Sequence, residues 1–151
     1  MEISEIAQEE CRSVLGRASF GRLACCFDNR PYIVPIYFVF ENDYFYVLST
    51  LGKKIEWMRK NPKVCVQVDQ ITSESQWVSV VVNGSYQELA EPQFTEERKH
   101  ARKLLEVRAR WWQVPLAERQ SKSERELIEP IFFRVHVDSL SGLRALGSAA
   151  A

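Results

Sequence analysis

The chain has 151 residues, close to half of them apolar, and its twenty basic residues balance twenty acidic ones to a formal net charge of zero. That length builds one domain around one core, and the balanced charge argues against nucleic acid as a partner. No apolar run approaches the ~20 residues that span a membrane, and the acidic, polar start Met1-Glu2-Ile3-Ser4-Glu5 is unlike a secretory signal, so the cytoplasm is the expected compartment.

In chain order, the apolar residues Ile3, Ile6, Ala7, Val14 and Leu15 recur at helical spacing, with Ser4 as the cap and Gly16 as the stop. Residues 19–27 read as a strand, followed by the turn chemistry of Asp28-Asn29-Arg30-Pro31. Residues 32–40, rich in aromatic and β-branched side chains, form a second strand that the turn Glu41-Asn42-Asp43 closes, and 44–48 form a third. Pro35 has no N–H for a ladder, so its strand is expected at an edge, bulged or against a ligand.

The next stretch, Val47-Leu48-Ser49-Thr50-Leu51-Gly52-Lys53-Lys54, runs from that strand into a helix over residues 53–60. Two hydroxyls, a glycine and two adjacent cations precede or occupy a first helical turn, whose backbone N–H groups and partial positive charge suit a phosphate. Two lysines there without an anion would oppose the helix dipole by about 0.3–1 kcal/mol each. Trp57, at helical spacing from Lys53, reads as a packing residue.

Asn61-Pro62 stops the helix. Residues 63–69 alternate, with Val64, Val66 and Val68 on one face and Cys65, Gln67 and Asp69 on the other, toward solvent or a dimer cleft. Residues 76–89 form a long strand with a bend at Asn83-Gly84. Pro92, with Thr95 as a second cap, opens a helix carrying a salt-bridged charge pattern to Arg110, and Trp111-Trp112-Gln113-Val114-Pro115 ends it. A short helix over 121–127, a last strand over 130–137, a closing segment over 138–142 and a frayed tail from Ala145 complete the chain.

Six strands joined mostly by short turns, without regular β-α alternation, predict a mainly β (α+β) fold: a six-stranded antiparallel split β-barrel with peripheral helices, one domain over 1–144. Cys11, Cys25, Cys26 and Cys65 have neither C-x-x-C nor metal spacing with His100 or His136, so they read as small hydrophobes and no metal site is expected. His136 shares a face with Arg134 and Asp138, at a solvated rim.

The ordered pieces Phe20-Gly21-Arg22-Leu23-Ala24, Pro31 to Tyr37, Gly52-Lys53-Lys54, Asn61-Pro62-Lys63-Val64, Ser79 to Gly84 and Phe133-Arg134-Val135 resemble the pyridoxamine 5′-phosphate oxidase-like, FMN-binding split-barrel superfamily. The likeness is greatest to its small oxidase-related and nitroimidazole-resistance branch. The resemblance implies FMN as the cofactor, with its phosphate on Lys53 and Lys54 and hydrogen bonds from Ser49 and Thr50. It also implies that the backbone of Pro35, Ile36 and Tyr37 lies along the flavin ring, and that Ser79 stands where the oxidase has a flavin-contacting glutamine. Leu48 edges this cofactor site and occupies the position of a functional histidine in the nitroimidazole-resistance proteins. Trp111 offers a flat face for the flavin or its substrate.

A homodimer with flavin at the subunit interface, turning over a small molecule as an oxidoreductase, is the implied assembly and activity. The oxidase's Arg-Leu-x-Pro-type tail is missing, which argues against vitamin B6 oxidation. Two alternatives stay open: a non-catalytic flavin or pyridoxal-phosphate carrier or sensor, and a haem-binding or haem-degrading member using His100 or His136.

Overall fold

The computed structural model describes residues 1–108 and 130–147. The elements run β1 (Glu2–Glu5), α1 (Gln8–Arg17), β2 (Phe20–Phe27), β3 (Arg30–Tyr37), β4 (Val39–Glu41), β5 (Tyr44–Ser49), α2 (Lys53–Lys60), β6 (Lys63–Ser73), β7 (Gln76–Glu88), α3 (Thr95–Glu106) and β8 (Ile131–Leu146). One eight-stranded antiparallel sheet has the order β3-β2-β6-β7-β8-β5-β4, with β1 paired to β8. It curls around its inner face as a split barrel.

The two extra strands have distinct origins. The expected strand over 32–40 changes partner at Phe38: Tyr37 pairs with Phe20 of β2, whereas Val39 pairs with Tyr46 of β5. Phe38 is fully buried, and its N–H donates to the Ser19 carbonyl at 3.1 Å. This corner carries the sheet around the core. The other strand, β1, replaces the expected first turns of the N-terminal helix. The long β8 presents Leu143 to Leu146 as ladder partners for Glu5 to Glu2, and interstrand bonds outweigh an uncapped helical start. The helix therefore begins at Gln8 with Ala7 as its uncapped N-cap, and Gly16 lies inside it rather than ending it.

Both predicted turns are two-residue hairpin turns with paired positive φ values, 51° and 60° at Asp28 and Asn29 and 49° and 63° at Asn42 and Asp43. Short polar side chains tolerate that region best. Pro35 lies on β3, a strand at the end of the sheet order, where its missing N–H breaks no central ladder. The bend at Asn83-Gly84 is a register shift against β8: Asn83 pairs with Ser139 and Gly84 with Val137, leaving Asp138 as the bulged residue.

The last strand runs past its expected end at Val137 to Leu146, and Ala145, placed in the frayed tail by sequence, is fully buried opposite Trp77 and Ile3. Thr95 does not cap α3; its hydroxyl donates to the Pro92 carbonyl at 3.0 Å. The helix expected over 121–127 and the Trp111–Pro115 helix stop lie outside the described residues.

Inside the barrel, Leu23, Phe38, Phe45, Val66, Val68, Val80 and Phe133 meet Val14 and Leu15 of α1 and Ile55 and Met58 of α2. Each such side chain contributes about 1.5–3 kcal/mol on burial. A smaller cluster joins α3, through Ala101 and Leu105, to Tyr46, Leu89 and Phe132. At Gly84 a Cβ would stand 2.6 Å from both the His136 carbonyl oxygen and Val135 Cγ1. Gly84→Ala is therefore expected to destabilise the fold by about 1–3 kcal/mol, read from urea unfolding; an unchanged midpoint would contradict this packing.

Candidate functional site

The β5–α2 joint is built from opposite ends. Alternation along β5 buries Phe45 and Val47 inward, and the strand ends on Ser49 with Thr50 just beyond it; the two are only 3% and 6% exposed. The Ser49 hydroxyl donates to the Thr50 carbonyl at 3.3 Å. Gly52 then stands in extended backbone as the N-cap of α2, with no side-chain cap bond. A Cβ on Gly52 would meet no atom within 4 Å, so open space lies beside the backbone where the helix begins.

Lys53 and Lys54 occupy the first turn. The Lys53 ammonium lies 4.5 Å from the Tyr32 ring centroid and 4.7 Å from that of Trp57. These ring faces offset the unfavourable helix dipole by about 0.5–1 kcal/mol. Trp57 packs as expected, 5.7 Å from Tyr32 and 6.0 Å from Phe27, and also serves as half of the Lys53 cage. Behind the turn, burial first and then neighbouring Cys26 push the Cys25 thiol up, while the two lysines pull it back. The backbone N–H groups of a helix start without a side-chain cap, two adjacent cations and open space fit a phosphate group.

The far end of α2 is clamped. Arg59 donates to Glu88 of β7 through Nε at 2.8 Å and Nη2 at 3.1 Å, and the Tyr86 hydroxyl donates to the same carboxylate at 2.7 Å. Asn61 Nδ2 donates to the Cys26 carbonyl at 2.8 Å. The bonds from Arg59, helped by Tyr86 and opposed by partial burial, hold the Glu88 carboxyl below its ordinary range. Burial and then the bond to Glu88 push the Tyr86 phenol well up.

The other sequence-predicted residues divide between faces. Pro35 and Tyr37 point outward from β3, whereas Ile36 is buried in the core, leaving only its backbone for a ligand. Leu48 packs against the small cluster between β5 and α3. Ser79 lies on the outward side of β7, where its hydroxyl accepts from Gln67 Nε2 at 3.0 Å. Trp111 lies outside the described residues. His100 bonds to Glu41 at 2.8 Å and His136 to Asp138 at 3.1 Å. Among the described residues no group of three His, Cys, Asp or Glu could hold a metal, and no helix is long and apolar enough to cross a membrane.

Two arrangements escaped sequence reasoning. The Arg59–Glu88–Tyr86 clamp joins α2 to two residues of β7, and only the placement of α2 brings Arg59 to them. The second is a string across the outward sheet face: Arg22 Nη1 donates to Asp69 Oδ2 at 3.4 Å, and Gln67 Nε2 bridges Asp69 and Ser79. Alternation placed Gln67 and Asp69 on one face, but the contact to Ser79 depends on β6–β7 register.

Residues 7–144 match the protein family described as pyridoxamine 5′-phosphate oxidase, and the chain belongs to that family. An uncharacterised protein of Rhizobium meliloti is 41% identical over 150 residues, covering 96% of this chain and 97% of its own. A crystal structure described as a FAD-binding protein of Mesorhizobium loti is 37% identical with a TM-score of 0.78, covering 97% of this chain and 99% of its own. A FAD-binding protein of Mycobacterium smegmatis shares the fold at 20% identity and a TM-score of 0.62, over 92% of this chain and 97% of its own.

Two outcomes test this geometry. Gly52→Ala has no clash to relieve and is expected to leave thermal stability within about 0.5 kcal/mol of the parent; a large loss would mean that the space beside Gly52 is filled. Because the folded Glu88 carboxyl titrates below its unfolded value, near 4.3, the clamp's stabilisation is present above that pH and fades as pH falls through the lower, folded value. The stability gap between the parent and Glu88→Gln should thus be largest at neutral pH and shrink in acid, as measured by denaturation at several pH values; a gap that widens in acid would contradict the sign.

Proposed function

We propose that this chain is an FMN-binding oxidoreductase of small molecules, with the flavin phosphate held by the Ser49–Lys54 turn. The observation that carries the reading is the joint itself: buried hydroxyls, an uncapped helix start and two lysines around open space at Gly52. Lys53, Lys54, Ser49 and Thr50 hold the phosphate, and the β3 backbone at Pro35 to Tyr37 positions the ring. When bound, the flavin supplies the electron and hydride chemistry; the protein binds it, orients it and excludes water.

The functional unit in this reading is a homodimer with the flavin between subunits. The outward sheet face supports it, exposing Ile33 at 62%, Tyr37 at 53% and Phe20 at 42%, with Val81 and Leu143 farther along. Tyr32, against which Lys53 rests, alternates with Ile33 and points away from the face that carries Pro35, Tyr37 and Ser79. A second copy brings the two halves of the site together. All four cysteines are free, which suits a reducing compartment, and we assign the protein to the cytoplasm.

The Mesorhizobium relative favours a second reading, in which the same turn holds the phosphates of FAD. Native mass spectrometry of the purified protein distinguishes the two by mass and reports the oligomer: a dimer carrying FMN is expected, and a monomer without flavin overturns the proposal. Lys53→Ala combined with Lys54→Ala removes two charge-assisted contacts and should weaken FMN binding at least about tenfold. Unchanged flavin retention on dialysis would show that the phosphate lies elsewhere.

A further inference from the structure

A four-residue polar string crosses the outward sheet face from Arg22 on β2 to Ser79 on β7. Register places these side chains together: Arg22 is opposite both Pro35 and Gln67, and Asp69 is opposite Ser79. The string therefore begins beside one predicted flavin residue and ends on another.

Its hydrogen bonds leave little freedom. Gln67 Nε2 lies 3.0 Å from Asp69 Oδ2 and 3.0 Å from Ser79 Oγ. An ionised carboxylate only accepts, so the amide atom facing Asp69 must be the nitrogen. Arg22 donates to the same carboxylate oxygen at 3.4 Å. Both amide hydrogens are thereby committed, and Gln67 Oε1 is held as an acceptor. The Ser79 oxygen already accepts from Gln67, which directs its own proton to another acceptor. A fixed acceptor beside a hydroxyl donor complements a group presenting N–H next to C=O, the edge of an imide.

We propose that Gln67 Oε1 and the Ser79 hydroxyl form a fork that recognises the imide edge of the flavin pyrimidine ring. Gln67 takes the ring N3–H and Ser79 donates to the adjacent carbonyl, while Asp69 and Arg22 are positioning residues that keep the amide from flipping. This rests on the flavin reading of the preceding section. The fork makes the face selective for a ring that carries a hydrogen on that nitrogen.

The test compares binding of FMN and of FMN methylated at N3 to the dimeric protein, by flavin fluorescence titration. The parent should prefer FMN about tenfold or more, since methylation leaves a fixed acceptor without its donor. Gln67→Leu should bind the two ligands within about twofold of each other, because no acceptor remains to be left unpaired. Ser79→Ala should bind both more weakly but keep the preference. Gln67→Met, closer in shape, replaces Gln67→Leu if the latter does not give a folded protein by circular dichroism. Equal binding of both ligands by the parent, or a preference that survives in a folded Gln67 variant, overturns the fork alone. Binding of neither flavin by the parent overturns the flavin reading and the fork with it.

Discussion

The candidate site depends on how α2 is held. An eight-residue helix is too short to be stable alone, so its direction comes from its attachments. Ile55 and Met58 bury its inner face completely. The Arg59–Glu88 pair, seconded by Tyr86, and the Asn61 bond to Cys26 pin its C-terminal end to β7 and β2. With that end fixed, the first turn stands at the end of β5, beside two buried hydroxyls. The chain thus meets the cost of an uncapped, cation-bearing helix start with contacts made elsewhere on the same helix, as functional sites commonly do.

The sheet has a corresponding division of labour. Its inner face is an apolar core, and its outer face mixes exposed apolar residues with polar ones, among them the string from Arg22 to Ser79. The corner at Phe38 and the bulge at Asp138 bend the sheet around that core. The bulge also frees Asp138 to accept from Ser85 at 2.6 Å and to bond His136 at 3.1 Å. That exposed cluster satisfies its own members: the serine is bonded to the carboxylate rather than to the histidine, so it is not arranged as a nucleophile.

Much of this was legible in the sequence because it follows from local rules. Alternation located the strands, Asp28-Asn29 and Asn42-Asp43 marked the hairpin turns, and Asn61-Pro62 ended α2. Pro35 signalled an edge, a bulge or a ligand, and its strand lies at the end of the sheet order. Elements decided by distant partners were not legible. Phe38 could not reveal that its strand changes partners, and Ile3 and Ile6 fit a helix until β8 offers a ladder. In the site, the lysine pair and hydroxyls stood out by type and spacing. The Lys53 cage of Tyr32 and Trp57, the Glu88 clamp and the Gln67 bridge depend on residues brought together across elements, which no linear spacing records.

The central claim is that the β5–α2 joint selects a phosphate. Fluorescence titration of the flavin-free protein with FMN and with riboflavin isolates that group, since the two ligands share the ring and the ribityl chain. Two lysine contacts and the helix start predict FMN binding at least about a hundredfold tighter than riboflavin, with the preference falling when Lys53 and Lys54 are replaced. Equal affinity for the two ligands would contradict the account.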